Sequence, residues 1–334
     1  MRKRSGGRLT DITRLLAALS TTAVPDLASA DESGVSLWLP GQYASFAAAP
    51  AQPGWSYATT YYHAWDTASA GTPILRGGVT LQAGLKSPTD LLMFTPTYVF
   101  ATPVLGAQAA LGVQTTFGRV ATSAAATLTG PGGASLSGTR SDTVVGLGDL
   151  GPNASLTWTR GVHNFMVYAT AAVPIGAYEA SRLSNLGLGH WAVDSGGGYT
   201  YFDEKAGVEW SAVLGFTYNF MNPTTQYQSG IDAHLDWGVS PYVTDKMYVG
   251  LAGYLYDEVT GDRGPGAKLG SFESRVAGIG PQIGFFFPLG DQQATLSLRA
   301  YREFDAKDRP DGWNAWITLS LAPPEQKSPH GSKR

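Results

Sequence analysis

Alternating polar and apolar positions mark the second half of the chain. In "SGIDAHLDWGVSPYV" (residues 229–243) the even positions carry Asp232, His234 and Asp236, and the odd positions carry apolar residues such as Leu235 and Trp237. A period of two predicts a β-strand with one polar and one apolar face. The polar face raises the question of whether this Asp-x-His-x-Asp row binds a metal, catalyses a reaction or lines an interior.

The same alternation recurs in four further segments, residues 207–220, 246–259, 293–304 and 312–321. Strands of about ten residues are long for a soluble sheet, but they match the length that crosses a bilayer at a tilt. No window after the N-terminal region offers the ~18 consecutive apolar residues of a spanning helix. The pattern therefore favours a membrane β-barrel over a helical membrane protein.

Extending this reading to the whole chain gives twelve strands, at 55–66, 91–101, 105–118, 153–160, 164–174, 196–203, 207–220, 229–242, 246–259, 272–287, 293–304 and 312–321. Short links (102–104, 161–163, 204–206, 243–245, 288–292) alternate with long ones (67–90, 119–152, 175–195, 221–228, 260–271, 305–311). Short turns at one rim and long loops at the other are typical of transmembrane barrels. We predict an all-β fold, a transmembrane antiparallel up-and-down β-barrel of about 12 strands over residues 55–321, with both termini periplasmic.

The distribution of residue types on the two strand faces argues against a soluble barrel or sandwich, whose outer face would be polar. One face here is rich in Leu, Val, Phe and Trp, and the other in Ser, Thr, Asp and Glu, which suits a water-filled lumen. Aromatic residues such as Trp55, Trp65, Trp210 and Trp313 lie toward strand ends, as in interfacial girdles. Outer-membrane lipid is the expected environment of the apolar face.

Composition supports this picture. Charged residues make up 15% of the 334 positions, below the ~25% usual for soluble domains. The formal net charge of −3 gives no basis for binding nucleic acid. Cysteine is absent, as expected for an exported protein without disulfides.

The N-terminal 30 residues follow the order of a secretory signal. Basic residues from Arg2 to Arg14 precede an apolar stretch (residues 15–24) and an Ala28-Ser29-Ala30 cleavage site. We predict a signal peptide at 1–30, an N-terminal periplasmic or plug segment at 31–54, a disordered C-terminal tail at 322–334, and localisation in the bacterial outer membrane.

Several segments resemble the family named for the meta-pathway of phenol degradation. They include "VPIGAYEASRLSNLGLGHW", the block from Tyr227 to Gly266, and "YREFDAKDRPDGWNAWITLSL". The resemblance runs from about Trp55 to Leu321. It implies an outer-membrane barrel that takes up aromatic or other small hydrophobic compounds, and it transfers no catalytic residues.

The string "GLGDLG" (residues 146–151) matches the dinucleotide-binding pattern G-x-G-x-x-G. That motif requires a helix after it, whereas Pro152 and the alternating "SLTWTR" follow. We interpret the string as a loop in which Asp149 binds loop backbone.

Ten residues are predicted to line the lumen: Glu209, Asp232, His234, Asp236, Tyr248, Tyr254, Tyr256, Glu258, Arg299 and Glu303. Alternate residues on a strand lie about 6.6 Å apart, so three of them do not converge on one metal ion. We expect the Asp232–His234–Asp236 row to be balanced by cations such as Arg299 or Arg302, with no metal, cofactor or catalytic residue. His63 is interpreted as a girdle histidine.

Three functions remain open at this stage. The first is a channel for small hydrophobic or aromatic solutes. The second is an outer-membrane enzyme acting on lipid or peptide at the extracellular rim, and the third is a structural surface barrel. A continuous lumen favours the first, an Asp-His or Ser-His pair the second, and a sealed lumen the third. The oligomeric state is not predicted.

Overall fold

The computed structural model describes residues 36–69, 74–76, 79–129, 135–267 and 271–324. Its regular elements are all β-strands: β1 Gly54–Ser69, β2 Ile74–Arg76, β3 Val79–Val99, β4 Gln108–Thr129, β5 Ser135–Leu147, β6 Gly151–Arg160, β7 His163–Ala172, β8 Ala192–Asp203, β9 Val208–Asn219, β10 Ile231–Thr244, β11 Met247–Glu258, β12 Arg275–Leu289, β13 Gln292–Lys307 and β14 Asp311–Ala322. The described residues contain no helix long and apolar enough to cross a membrane.

The strands close into one antiparallel barrel. Successive strands pair along the wall, and β14 returns to pair with β1. β4 pairs with β6 over its first part and with β5 over its second, so β5 and β6 together occupy one place in the wall. The short β2 pairs with β3 just beyond the end of β1, so β1 and β2 together occupy one strand position in the wall. The wall thus has twelve places, which confirms the predicted fold class and strand number.

The wall is unequal in height, because β3, β4 and β5 extend far beyond their neighbours. We call these three strands the tall wall. The prediction of long loops at 67–90 and 119–152 is wrong, because the structure has paired strands there. Ala, Ser, Thr and Gly dominate these strand ends, and Ala125, Ser137 and Thr139 are exposed. The side chains on both faces there are small or polar. The sequence therefore shows no alternation of apolar and polar positions that would predict a strand.

Two rims can be distinguished by their connections. The short-turn rim has the links 161–162, 204–207, 245–246 and 290–291, and the long-loop rim has the loops 173–191, 220–230 and 259–274. β1 begins and β14 ends at the short-turn rim.

The two faces of the wall differ as the alternation predicts. On β9, Leu214 and Phe216 are 49% and 47% exposed on the outer face, whereas Val213 and Thr217 are 1% and 0% exposed on the inner face. Exposed apolar side chains continue around the outside, for example Leu92 on β3 and Leu251 on β11. They form an apolar belt of the kind that contacts lipid.

Residues 36–53, the N-terminal segment, lie inside the barrel in irregular conformation. The backbone N–H of Phe46 donates to Glu209 Oε1 at 2.7 Å, and that of Ala48 donates to Thr200 Oγ1 at 3.0 Å. The indole Nε1 of Trp316 donates to the Pro40 carbonyl at 3.1 Å. These contacts reach β8, β9 and β14, so the inner face at this level is packed against protein. The prediction of a simple water-filled lumen is wrong at this level.

Candidate functional site

His234 occupies the centre of the polar interior. Its side chain is 1% exposed, and its two ring nitrogens face carboxylates on both sides. Nδ1 lies 3.0 Å from Asp236 Oδ2, and Nε2 lies 3.1 Å from Asp194 Oδ2 on β8. The Tyr168 hydroxyl is 3.2 Å from the same Nε2. The imidazole therefore links β10 to β8 and β7 across the intervening β9.

Trp38 of the N-terminal segment covers this histidine. Its Nε1 donates to Asp236 Oδ2 at 2.8 Å, and its ring stacks on His234 with centroids 5.0 Å apart. The rings of Tyr256 and Tyr254 complete the cage at 5.5 and 5.6 Å. At 2% exposure, Trp38 is the largest fully buried side chain of the segment. It is the main anchor of the segment to the wall.

Tyr43 adds a second aromatic contact from the N-terminal segment. Its ring lies parallel to His234 at 6.3 Å and packs against Tyr168 at 5.2 Å. Burial, together with the nearby carboxylates of Asp194 and Asp236, raises the pKa of the Tyr43 hydroxyl above its ordinary value. Tyr43 therefore stays a neutral phenol at physiological pH.

Asp232 belongs to a different set of contacts from Asp236. It accepts hydrogen bonds from Tyr256 Oη at 2.9 Å and from Asn219 Nδ2 at 3.0 Å. Within the described residues, no group of three or more His, Cys, Asp or Glu is placed to hold a metal ion. The Asp232–His234–Asp236 row thus belongs to two hydrogen-bond networks on one strand face: Asp232 to one, and His234 with Asp236 to the other.

The expected charge balance of this row needs correction. Arg302 lies on the outer face with its side chain 69% exposed, and it pairs loosely with Asp311 at 3.7 Å. Its neighbour Arg299 points inward and stacks over Trp316, 5.0 Å from the ring centroid. Alternation places these two arginines, three positions apart, on opposite faces of β13. His234 is in direct contact with Asp194 and Asp236, and the inward Arg299 is a further positive charge near Asp236.

All ten predicted lumen-facing residues lie on the inner side of the wall. Nine are 0–4% exposed and Arg299 is half-buried; the nine are Glu209, Asp232, His234, Asp236, Tyr248, Tyr254, Tyr256, Glu258 and Glu303.

Most of these carboxylates accept hydrogen bonds from backbone and hydroxyl groups. Glu258 accepts from the backbone N–H of Gly230 at 2.7 Å, and Glu303 accepts from Tyr254 Oη at 2.8 Å. They fix loops and side chains in place.

His63 lies on the outer face beside aromatic side chains. Its Nδ1 is 2.7 Å from Asp90 Oδ1, and its ring centroid is 5.0 Å from that of Trp313. Within the described part of the chain, neither His63 nor His234 has a hydrogen bond to a serine or threonine hydroxyl. Both Asp-His contacts therefore lack the nucleophile that a triad requires.

Two cavities lie between the N-terminal segment and the long-loop rim. The inner cavity has a volume of about 160 Å³ and is lined by side chains of the segment, of β1, β3 and β4, and of loop 173–191. Apolar side chains such as Leu91 and Leu186 alternate in this lining with polar ones such as Thr89 and Gln114. The outer cavity has a volume of about 590 Å³ and lies against the tall wall. Arg309, in the connection between β13 and β14, lines both.

Loop 173–191 closes the inner cavity, and two aspartates hold it. Asp149 accepts the backbone N–H of Gly176 at 2.8 Å and that of Leu188 at 2.7 Å, which confirms the interpretation of "GLGDLG" as a structural loop. Asp142 on β5 binds Arg182 with an N–O distance of 2.8 Å. The loop is therefore fastened to the wall at both ends.

Sequence reasoning missed four residues of this interior: Trp38, Asp66, Asp194 and Arg309. Asp194 lies at the start of β8, in residues assigned to a loop, although the exposed Val193 beside it continues the strand alternation. A single Trp in an Ala- and Pro-rich segment is the only sequence signal for Trp38. Asp66 and Arg309 carry no such signal.

Comparison with known proteins agrees with this architecture. A family model described as "Putative MetA-pathway of phenol degradation" matches residues 65–319. An outer-membrane channel from Pseudomonas putida F1 superposes with a TM-score of 0.61 at 15% identity, over 86% of this chain and 99% of that chain. This likeness shows the fold, a closed barrel of the outer-membrane type.

Two further solved structures are more distant. A Pseudomonas aeruginosa FadL homologue gives a TM-score of 0.41 at 10% identity, over 80% of this chain and 90% of that chain. The CymD monoaromatic hydrocarbon channel gives 0.39 at 7% identity, over 81% and 88%. Among curated proteins, none matches the sequence significantly.

Proposed function

Because the chain belongs to the family described as "Putative MetA-pathway of phenol degradation", we propose that it is an outer-membrane channel for small hydrophobic, aromatic compounds. The apolar belt and the closed barrel are the architecture of a bacterial outer-membrane protein. The solved outer-membrane channel with this fold supports the proposal.

The observation that carries the proposal is the pair of cavities inside the barrel. Arg309 lines both cavities, so they adjoin each other at this residue, and the inner cavity combines apolar side chains with a few polar ones. Sites for small organic molecules are concave and mostly apolar, with a few polar groups. A solute that partitions poorly into water gains free energy on entering such a chamber.

The proposal also assigns the ends of the chain. Residues 1–30 act as a signal peptide, both termini face the periplasm, and residues 31–54 act as a plug that is displaced during passage. The contacts of Trp38, Phe46 and Ala48 with the wall support the plug role. Residues 1–35 and 325–334, where the signal peptide and most of the predicted tail fall, lie outside the described residues.

The Asp-His contacts are the observation that favours an enzyme instead. The proposal gives them no catalytic role. His234 is buried under Trp38, and both of its ring nitrogens contact other side chains. His63 lies on the outer face beside Trp313. The structural-barrel alternative is favoured by the filled interior, and it differs from the channel in allowing no passage of solute.

Uptake into proteoliposomes tests the channel. We expect radiolabelled phenol to enter lipopolysaccharide-coated vesicles that contain the purified protein faster than the same coated vesicles without protein, and sugars of similar mass to enter slowly. Equal rates for vesicles with and without protein would contradict the channel and favour a structural barrel. Release of fatty acid or peptide fragments, lost in His63→Ala or His234→Ala, would favour the enzyme.

A further inference from the structure

The inner face of the barrel is open on one side near the short-turn rim. Most inward-facing side chains of β1, β3, β13 and β14 are half-buried there, whereas those of β9 and β10, such as Val213 and Ser240, are 0–1% exposed. We call this open space the vestibule, and hydroxyl side chains dominate its described lining: Thr60, Thr95, Thr295, Ser297, Thr318 and Ser320. Serine and threonine hydroxyls are neutral and hydrogen-bond water, so the lining suits a wet space.

Strand register places Arg299 at the inner end of the vestibule. Arg299 of β13 lies opposite Trp316 of β14, and the next inward-facing row toward the short-turn rim consists of Ser297, Thr318 and Thr60. Alternate residues of a strand lie about 6.6 Å apart, so the guanidinium is one row deeper than these hydroxyls. An ion that enters from the short-turn rim meets the hydroxyls first and the guanidinium behind them.

Arg299 is the one charged side chain of the vestibule among the described residues. The N-terminal segment, residues 36–53, contains no Asp, Glu, Lys or Arg. Arg299 makes no salt bridge in the described part of the chain. Asp236 is a nearby opposite charge, but its close contacts are with His234 and Trp38. The protein therefore compensates the positive charge of Arg299 only in part.

Trp316 fixes the orientation of the guanidinium. The guanidinium lies over the indole, 5.0 Å from the ring centroid, and the indole is held by its bond to the Pro40 carbonyl. Stacking uses the flat face of a guanidinium and leaves the N–H groups at its edge for hydrogen bonds. Arg299 Nε and the neighbouring Tyr301 Oη are both buried, and neither has a partner at hydrogen-bonding distance within the described structure. A fixed guanidinium with unused donors is suited to bind an anion.

We propose that Arg299 forms a binding site for one small anion, such as chloride or a small carboxylate or sulfonate, at the inner end of the vestibule. The guanidinium supplies the charge, and the hydroxyls of Ser297 and Thr318 supply further donors one row away. The site gives the vestibule a preference for anions over cations of similar size. It goes beyond the proposed function and does not depend on it, because a neutral aromatic solute has no charge for this site to select.

A single introduced thiol reports on the vestibule, because the chain contains no cysteine. In Ser297→Cys the thiol lies one row from Arg299, and in the control Gln293→Cys it lies on the same face of β13 at the exposed short-turn rim. The purified full-length protein in detergent is treated with anionic sulfonatoethyl methanethiosulfonate or with cationic trimethylammonium-ethyl methanethiosulfonate.

We expect the ratio of the anionic to the cationic reaction rate to be at least fivefold higher at position 297 than at position 293. The guanidinium attracts one reagent and repels the other at about 7 Å from Ser297, and position 293 lies beyond the screening length of about 10 Å. Equal ratios at the two positions would overturn the anion preference. Failure of both reagents to react at position 297, with normal reaction at position 293, would overturn the open vestibule.

Substitution of Arg299 in the Ser297→Cys background assigns the effect to this residue. Arg299→Gln should lower the ratio to its value at position 293, and Arg299→Lys should keep most of it because the charge remains. Arg302→Gln is the matched control, since Arg302 lies on the outer face of the same strand with its side chain 69% exposed, and it should leave the ratio unchanged. A ratio that Arg299→Gln does not lower would overturn the site.

Crystals of the full-length protein soaked in sodium bromide test binding directly. We expect anomalous density beside the Arg299 guanidinium in the wild type and none there in Arg299→Gln. Absence of bromide at Arg299 in the wild type would overturn the site. Neither measurement involves passage of an aromatic solute, so the anion site and the proposed channel can fail separately.

Discussion

Substituting Trp38 by alanine tests whether the N-terminal segment is held by the aromatic cage around His234. The change removes the hydrogen bond to Asp236 and the ring contacts with His234, Tyr254 and Tyr256. Backbone contacts of the segment at Phe46 and Ala48 remain. We expect the segment to detach while the barrel stays folded, because no strand pairing depends on Trp38.

The magnitude follows from these contacts. A hydrogen bond to a charged group contributes about 1.5–3 kcal/mol, and each aromatic pair adds about 0.5–1.5 kcal/mol. Such terms are not additive, and replacement of a buried Trp by Ala costs about 3–5 kcal/mol in total. At about 1.4 kcal/mol per factor of ten, the detached population should rise roughly 100- to 4,000-fold.

Two measurements report on this population. Single-channel recording should show larger or more frequent openings in Trp38→Ala, and limited proteolysis should cleave the segment faster. Trp38→Phe keeps the stacking and loses the hydrogen bond, so it should be intermediate. Trp313→Ala, which removes a Trp that is 43% exposed on the outer face, is the matched control. Wild-type conductance and cleavage in Trp38→Ala would refute the anchoring role, and so would complete unfolding of the barrel.

Three further variants test other parts of the structure. Ser45 Oγ and Ser240 Oγ lie 2.9 Å apart, so the double variant Ser45→Cys with Ser240→Cys should form a disulfide between the N-terminal segment and β10. This disulfide should block uptake of aromatic solutes until reductant is added. Uptake that is insensitive to oxidation would show that the segment need not move. Leu214→Arg should lower the free energy of unfolding in urea by about 2–4 kcal/mol, whereas Leu214→Ala should cost far less; equal costs would contradict a lipid-facing position. Asp149→Asn weakens two charge-assisted hydrogen bonds and should expose loop 173–191 to protease while the barrel melts normally; an unchanged cleavage rate would contradict its role as a fastener.

Sequence periodicity predicted those parts of the fold where the two strand faces meet different surroundings. β9, β10 and β11 alternate between lipid-facing residues such as Leu214 and inner residues such as Glu209, and their bounds lie within two residues of prediction. The outer ends of β3, β4 and β5 meet similar surroundings on both faces, so alternation carries no information there. The closure of the barrel depends on which strands pair and in what register. The pattern along a single strand does not contain that information.

The interior was harder to predict than the wall. A row such as Asp232, His234 and Asp236 shows the same alternation whether it faces water or packed protein. Asp236 is covered by Trp38, 198 positions away in sequence, and nothing local to either residue encodes that contact. For the same reason, alternation places Ser211 on the inner face but does not show that it is 2% exposed and has no room for a larger side chain.

The tall wall has a consequence for the surface of the cell. Arg119 lies on the outer face of β4 in register with Asp90 of β3, and the outer residues beyond it, such as Ser123, are small or polar, so the apolar belt ends at this level. β4 runs ten residues past Arg119, which is about 33 Å along the strand and about 25 Å in height at a tilt near 40°. An apolar belt is also about 25 Å tall, so this side of the barrel rises by roughly one belt height above that level. If the long-loop rim faces outward, as the proposed function requires, the ridge crosses the sugar layer of the lipopolysaccharide. The opening beside it then meets the surrounding medium directly, and a hydrophobic solute is collected above the carbohydrate barrier that would otherwise exclude it.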